Sequence, residues 1–326
     1  AGGGGRRAPG AVGAKGRVSV VAPTIESRQH FHSALWSCFK AQAWPDKELV
    51  VVETYTNRPS PFFAELAAQD SRLVYVAYQR RQDSDWSIGV KRNIGTHFAS
   101  GEFIANFDDD DLYAPMYLTS MVGALQDGSS QVITLSTWYI FDHQRSMFAF
   151  CDPIAWGLTK GYDLSKAEVR ERAYGYGFSY VLRRKVALDL PFEDINMGED
   201  FGFISTVQHR RGDTSVALLR DELGICLHVQ HGGNTSNSIP LRRVERDEAC
   251  DLDVMELALH LPEVPEGGAG PGRAYLAEIF RNVVEPPSQR VRSLQIRAPS
   301  GTLKVSCAVR ATAAELLEQL AWQHPR

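Results

Sequence analysis

Short apolar runs alternate with amphipathic stretches over the first third of the chain. Val18-Ser19-Val20-Val21 is bounded by Pro23-Thr24 and reads as a strand entering a loop. Phe31, Ala34, Leu35, Cys38 and Phe39 follow at helical spacing and mark one face of a helix. That helix closes near Trp44-Pro45, because the residue before a proline is driven out of helical conformation. Leu49-Val50-Val51-Val52 predicts a second buried strand, 62–68 a helix, and Leu73-Val74-Tyr75-Val76 a third strand. The next helix spans 88–98 and carries Val90, Ile94 and Phe98 on one side; Gly101 then opens a fourth strand over 102–107. Strands alternating with helices call for right-handed crossovers and a largely parallel sheet, an α/β fold. Ligands of such sheets bind beyond the carboxyl ends of the strands. Thr24, Glu53, Arg80/Arg81 and Asp108–Asp111 are therefore expected to line one crevice.

Beyond Asp111 the pattern is mixed. It predicts a helix over 116–125, a strand over 131–139, aromatic-rich segments to Tyr180 and a helix over 200–211. Short strands follow at 215–219 and 225–229. Residues 1–16 are Gly/Ala/Arg-rich and are expected to be disordered. A Pro/Gly linker at 261–272 separates helical pieces at 245–260 and 273–284. Near the end, 293–297 and 303–306 read as two strands, followed by a helix that Thr312 caps. The expected division is a low-complexity start (1–16), an α/β domain (17–245), a helical tail with linker (246–285) and a small ββα piece (286–326).

Composition narrows the function. The 326 residues are 44% apolar and 23% charged, enough for a sizeable core. A net charge of −4 leaves no overall basic footprint for nucleic acid or an anionic membrane. No apolar run reaches the roughly 20 residues of a membrane helix. Cys38, Cys151, Cys226, Cys250 and Cys307 are scattered, with no C-x-x-C pair. That argues against a disulfide scaffold and favours a reducing compartment, cytoplasmic or at the cytoplasmic face of a membrane.

The chemistry concentrates in four consecutive aspartates, Asp108 to Asp111, where an apolar strand ends. Adjacent like charges repel, and a bound cation relieves the repulsion. Alternate residues of an extended segment point the same way, so Asp108 and Asp110 could face one ion. Carboxylate oxygens suit Mg²⁺ or Mn²⁺, whose shells phosphate oxygens often complete. A solvated acidic turn is the plain alternative. An EF-hand loop fails, because position six lacks a glycine and position twelve is Thr119.

The segment Gly101 to Pro115 resembles the "G-E-(apolar strand)-D-x-D-D-x-x-x-P" signature of family 2 glycosyltransferases, which carry a GT-A fold. Gly89-Val90-Lys91-Arg92-Asn93-Ile94-Gly95 resembles the Arg-Asn helix upstream of that signature. Gly198-Glu199-Asp200 resembles the family's "G-E-D" segment, and His231-Gly232-Gly233-Asn234 its closing motif. The four occur in family order across roughly residues 17–240.

The resemblance implies transfer of a sugar from a nucleotide-diphosphate donor, a UDP-sugar being favoured, to an acceptor hydroxyl with inversion. The acceptor, a glycan, lipid or protein, is left open. Asp108 and Asp110 would hold Mn²⁺ or Mg²⁺, with His231 a further candidate; His228, three residues earlier, is expected on the opposite sheet face. Asp111 would orient a sugar hydroxyl or cap the next helix. Asp200 would be the catalytic base, with Glu199 beside it. Thr24, Glu53, Arg92, Asp108 and Asp109 would contact the donor, although Glu53-Thr54-Tyr55 departs from the usual Asp-Asp-Gly-Ser run. Trp156, Tyr174, Tyr176 and Phe178 offer flat faces for sugar rings. Two other readings stand beside this one. A nucleotidyltransferase needs a Gly-rich basic loop that Ala22-Pro23-Thr24-Ile25-Glu26-Ser27 lacks. A non-catalytic nucleotide-sugar binding module would not need Asp200. The tail resembles the first half of a ubiquitin-like β-grasp domain.

Overall fold

The computed structural model describes residues 14–161 and 172–257, and the backbone of the strands at 291–298 and 301–308. Strand β1 (Ala14–Ile25) leads through a 3-10 turn into α1 (His32–Ala41). Then come β2 (Lys47–Tyr55), α2 (Pro61–Gln69), β3 (Leu73–Gln79), α3 (Ile88–Phe98) and β4 (Gly101–Asn106). Ser60 and Ser87 cap α2 and α3 by accepting the amides of Phe63 and Val90.

After the aspartates the chain forms β5 (Leu112–Tyr113), α4 (Tyr117–Asp127), β6 (Val132–Asp142), β7 (Met147–Cys151) and α5 (Pro153–Thr159). Next are β8 (Val181–Arg183), α6 (Arg184–Asp189), α7 (Glu199–Arg211), β9 (Val216–Arg220) and β10 (Cys226–Gln230). Then follow β11 (Arg242–Val244) and α8 (Arg246–Cys250).

One twisted sheet runs in the order β11-β7-β6-β8-β4-β1-β2-β3, with β9 and β10 also paired to β6. β1 pairs in parallel with both β2 and β4, and β2 with β3. β8 is antiparallel to β4 and β6. The expected parallel unit is thus present, extended by a mixed half.

The central strands alternate between two cores. Val20, Val51, Phe103 and Ala105 join one apolar cluster, with Leu35, Phe39 and Tyr117. Their neighbours Val21, Val50 and Ile104 join the other, with Leu182, Phe203 and Val207. Both faces are covered, which is why these strands read as unbroken apolar runs rather than alternating ones. Helix α3 lies against β1 so closely that a Cβ on Gly95 would fall 2.4 Å from Val21 Cγ1.

Several expectations need correction. β1 begins at Ala14, inside the stretch expected to be disordered. Strands β7, β8 and β11 and helices α5 and α6 were not foreseen; each has at most seven residues, too few to show a period. Within the helix expected at 245–260, the described residues form α8 and then a 3-10 turn, Asp253–Glu256, before Leu257 turns helical again; 258–260 lie outside the described residues. The tail strands form a hairpin, β12 (Val291–Ala298) with β13 (Gly301–Ala308), in unbroken antiparallel register. The 261–272 linker and the helices expected at 273–284 and after Thr312 lie outside the described residues.

Strand β10 is set by the turn before it. The Asp221 carboxylate accepts the amides of Leu223, Gly224, Ile225 and Cys226 at 3.2, 2.7, 3.0 and 3.1 Å. Asp221→Ala strands these amides, each worth about 1–3 kcal/mol when unsatisfied. The expected loss of stability is at least about 3 kcal/mol, read by chemical denaturation. A loss below about 1 kcal/mol would show that the turn holds itself.

Candidate active site

The site lies where β1 and β4 run side by side and the strand order reverses, the place where open α/β sheets bind ligands. Thr24, at the end of β1, donates its hydroxyl to Asp109 Oδ2 at 2.5 Å, beyond the end of β4. A cavity of about 780 Å³ opens there, and its lining includes Thr24, Arg28, Asp85, Lys91, Arg92 and Asp108–Asp110. Glu199 and Asp200 line the same cavity.

Each aspartate of the cluster meets a basic side chain. Asp108, a third exposed, faces Arg92 Nη2 at 3.5 Å. Asp109 takes Arg28 Nε and Nη2 on one oxygen, at 2.8 and 2.5 Å. Asp110 Oδ2 receives Arg28 Nη2 at 2.5 Å, meets His231 Nε2 at 2.8 Å and accepts Asn234 Nδ2 at 3.2 Å. Asp111 faces His228 Nδ1 at 3.0 Å and accepts the Val229 amide at 2.9 Å. Burial disfavours the charge on Asp110, but the His231 bond and the Arg28 guanidinium outweigh it and hold the pKa at about 2. Burial, with its aspartate neighbours, pushes Asp108 upward against Arg92.

The donor set suits a hard divalent cation. One oxygen each from Asp108, Asp110 and Asp111 lies within 4.8 Å of the others, and His231 reaches Asp110. The carboxylates converge because the chain bends after β4, not because an extended strand alternates. Asp111 neither caps α4 nor faces the cavity; it is buried and ties the bend to β10.

The second carboxylate pair stands at the N-terminus of α7. Gly198 enters the helix with φ +84°, and Glu199 and Asp200 occupy the first turn, where the helix dipole favours negative charge. Glu199 is buried on Arg92 Nη1 at 2.7 Å. Burial raises the Glu199 pKa, partly offset by Arg92. Asp200 accepts the Gly177 amide at 3.0 Å and the Phe201 amide at 2.6 Å. Arg92 therefore bridges the two acidic groups, stacked on Phe192 at 5.6 Å. Gly177 leaves room for the guanidinium: a Cβ there would fall 2.5 Å from Arg92 Nη1 and push it off its partners.

Other expected residues are placed differently. Glu53 is buried and not part of the cavity wall; it accepts from Gln29 at 2.6 Å, from the Ser60 amide at 2.9 Å and from the Tyr75 hydroxyl. The carboxylate that reaches the wall nearby is Asp85, bonded to Thr54 Oγ1 and Lys91 Nζ at 3.1 and 3.2 Å. Arg80 and Arg81 line a smaller hollow of about 310 Å³ that shares Ile25, Ser27 and Asp85 with the main one. Tyr174 is core, whereas Trp156, Tyr176 and Phe178 line the cavity.

His228 lines the cavity, stacked on Phe178, and does not point away from the site. Strand alternation failed because β10 stops at Gln230 and His231 folds back from a turn. Arg28, Asp85 and Lys91 were missed. Lys91 adjoins the Arg-Asn pair, so position could have flagged it; Arg28, in the 3-10 turn just past β1, carries no such signal.

The family comparison follows this geometry. A model of Glycosyl transferase family 2 matches residues 19–189, more than half of the chain, and the chain belongs to that family. Its sheet and flanking helices are those of the GT-A type. The uncharacterised glycosyltransferase YibD of Escherichia coli (strain K12) is 28% identical over 112 residues, 34% of this chain and 31% of that protein. EpsH of Bacillus subtilis (strain 168), named as a glycosyltransferase, is 29% identical over 116 residues, 36% of this chain and 32% of that protein. The chain thus spans about a third of the length of these relatives. Among solved structures, S. aureus TarS 1-349 with UDP-GlcNAc aligns at TM-score 0.48 and 17% identity, covering 82% of this chain and 72% of that one. Glucosyl-3-phosphoglycerate synthase from Mycobacterium tuberculosis, in complex with Mn²⁺, UDP and glucosyl-3-phosphoglycerate, aligns at 0.42 and 15%, covering 93% and 91%. No helix among the described residues is long and apolar enough to cross a membrane.

The buried His228–Asp111 pair gives stability a pH dependence. Burial works to lower the His228 pKa, but Asp111 outweighs it and pushes it up to about 9. The folded chain thus keeps a proton that an unfolded histidine releases near about 6.5. This stabilisation is complete below about 6.5 and is lost as pH rises through about 9. The stability difference between wild type and His228→Gln should shrink from pH 6.5 to 9 in denaturation curves. A constant gap would show that the histidine is neutral throughout.

Proposed function

We propose that the protein transfers a sugar from a nucleotide-diphosphate donor, with UDP-sugars favoured, to an acceptor hydroxyl with inversion. The reaction uses Mn²⁺ or Mg²⁺. The observation that carries this reading is the gathering of two acidic groups on one cavity: Asp108–Asp110 beyond β4, and Glu199-Asp200 opening α7.

Asp108 and Asp110, with His231 behind Asp110, are the residues that would hold the cation. When bound, the cation offsets the charge that develops on the leaving diphosphate. Thr24 on β1, Arg28 in the 3-10 turn after it and Lys91 on α3 border the donor region. Lys91 is fixed by Asp85 and the Thr24 carbonyl at 3.2 and 3.4 Å. Asp200 accepts the proton of the acceptor hydroxyl as that oxygen attacks the anomeric carbon. The Gly177 and Phe201 amides hold its carboxylate in place. Glu199, gripped by Arg92, is a positioning group and not the base. Trp156 and Tyr176 give the acceptor end flat faces.

The test separates chemistry from binding. Asp200→Asn should keep donor and metal affinity within about twofold and lower turnover about 10²–10⁴-fold, the usual contribution of a positioned base. Glu199→Gln should cost less. Near-normal turnover in Asp200→Asn with an inactive Glu199→Gln would move the base by one residue. A wild type that binds donor but neither transfers nor hydrolyses would be a binding module.

Binding of UDP should need a divalent cation, and Asp110→Ala should abolish that requirement's benefit while the fold persists. Calorimetric titrations in Mn²⁺ and in EDTA measure this. Equal affinities in the two would remove metal from the donor site.

A further inference from the structure

The Arg28 guanidinium lies on the carboxylates expected to receive the cation. Its Nε and Nη2 both hold Asp109, and Nη2 also sits 2.5 Å from Asp110 Oδ2. The side chain is only 22% exposed, and it lines the cavity. Burial disfavours its charge, yet Asp109 and Asp110 raise its pKa further above an already high value, so it is a permanent cation. Asp109, in turn, is anchored by Thr24, whose hydroxyl also meets His32 Nε2 at 3.1 Å. His32 leans on Ser60 at 2.9 Å. Asp109 is held by two donors, Nε and Nη2, whereas Asp110 is met by Nη2 alone, which it shares with Asp109.

We propose that Arg28 is a tethered counter-cation that competes with the divalent ion for Asp110. It neutralises the acidic bend in the metal-free protein and yields Asp110 when metal and donor arrive together. Two cations cannot share that carboxylate without mutual repulsion, so Arg28 weakens binding of metal alone. A donor diphosphate in the same cavity offers the displaced arm a new anionic partner. Metal and donor then favour each other, and by linkage each strengthens the other by the same factor. The idea rests on the metal reading above, but concerns the order and coupling of binding rather than the transfer reaction.

The experiment is calorimetric titration of the full chain with Mn²⁺ alone, then with UDP present, for wild type, Arg28→Gln and Arg28→Lys. Removing the competing charge should tighten Mn²⁺ alone by about tenfold or more. UDP should tighten Mn²⁺ strongly in wild type and much less in Arg28→Gln. Arg28→Lys keeps the charge but loses the bidentate anchor and should fall between them. Thermal melts add a second readout. Loss of an ion pair that is only structural lowers the melting temperature equally in EDTA and in Mn²⁺; loss of a counter-cation lowers it in EDTA and lets Mn²⁺ restore it. Arg28→Gln that folds only with Mn²⁺ supports the proposal. Mn²⁺ affinity within twofold of wild type in both variants overturns it and leaves the metal reading intact. Absence of Mn²⁺ binding by all three proteins, with and without UDP, overturns both.

Discussion

Desolvation of the aspartate cluster is the constraint that organises the molecule. Asp109, Asp110 and Asp111 are almost fully removed from water, where an isolated carboxylate would give up its charge. Compensation comes from four distant places: Arg28 after β1, Arg92 on α3, His228 on β10 and His231 beyond it. Each brings its own element to the end of β4. The acidic bend is thus both the site and a knot joining the parallel half of the sheet to the mixed half. These partners offset part of the repulsion within the cluster, while burial and the neighbouring carboxylates still hold Asp108 above its ordinary range.

The parallel half supplies the rigidity that such a knot needs. β1 is buried on both faces and hydrogen-bonded on both edges, to β2 and β4. Thr24 and Asp109 therefore meet at a place that neither strand can leave. Gly95 lets α3 lie directly on Val21, which fixes the height at which Lys91 and Arg92 enter the cavity. Small residues at the packing seam and charged residues one helical turn away are two parts of one arrangement.

The parallel half was readable in the sequence because its signals are long. Runs such as Leu49–Val52 with flanking amphipathic helices leave few alternatives, and β1 to β4 fall where the pattern puts them. The acidic cluster and the Glu199-Asp200 pair were legible for another reason: adjacent carboxylates at an element boundary are chemically conspicuous. Glu53 was misplaced because position at a strand end says nothing of which way the side chain turns. Its carboxylate is spent on Gln29, Ser60 and Tyr75, contacts between residues far apart in the chain. Arg28 was passed over because a lone arginine in a loop carries no period and no motif. Its meaning comes only from Asp109 and Asp110, 81 and 82 positions later in the chain. The short elements β7, β8 and β11 owe their form to pairing with β6, β4 and one another, which no local window contains.

Arg92 makes the two ends of the cavity a single electrostatic unit. Its guanidinium spans Asp108 beyond β4 and Glu199 at the start of α7, and it is nearly sealed from water. Gly177 leaves room for the same guanidinium, while its amide donates to Asp200 and its carbonyl accepts Asn106 Nδ2 at 3.2 Å. Asn106 is the last residue of β4. The strand that delivers the aspartates thus also fixes the loop that aims Asp200. Charge at Asp108 and the position of the Glu199-Asp200 pair are then not independent: any shift of Arg92 toward Asp108 loosens its hold on Glu199, the neighbour of Asp200. In a low-dielectric setting such a shared cation couples its anions more strongly than water would allow. The two acidic groups are linked through the two terminal nitrogens of one buried guanidinium, Nη2 to Asp108 and Nη1 to Glu199.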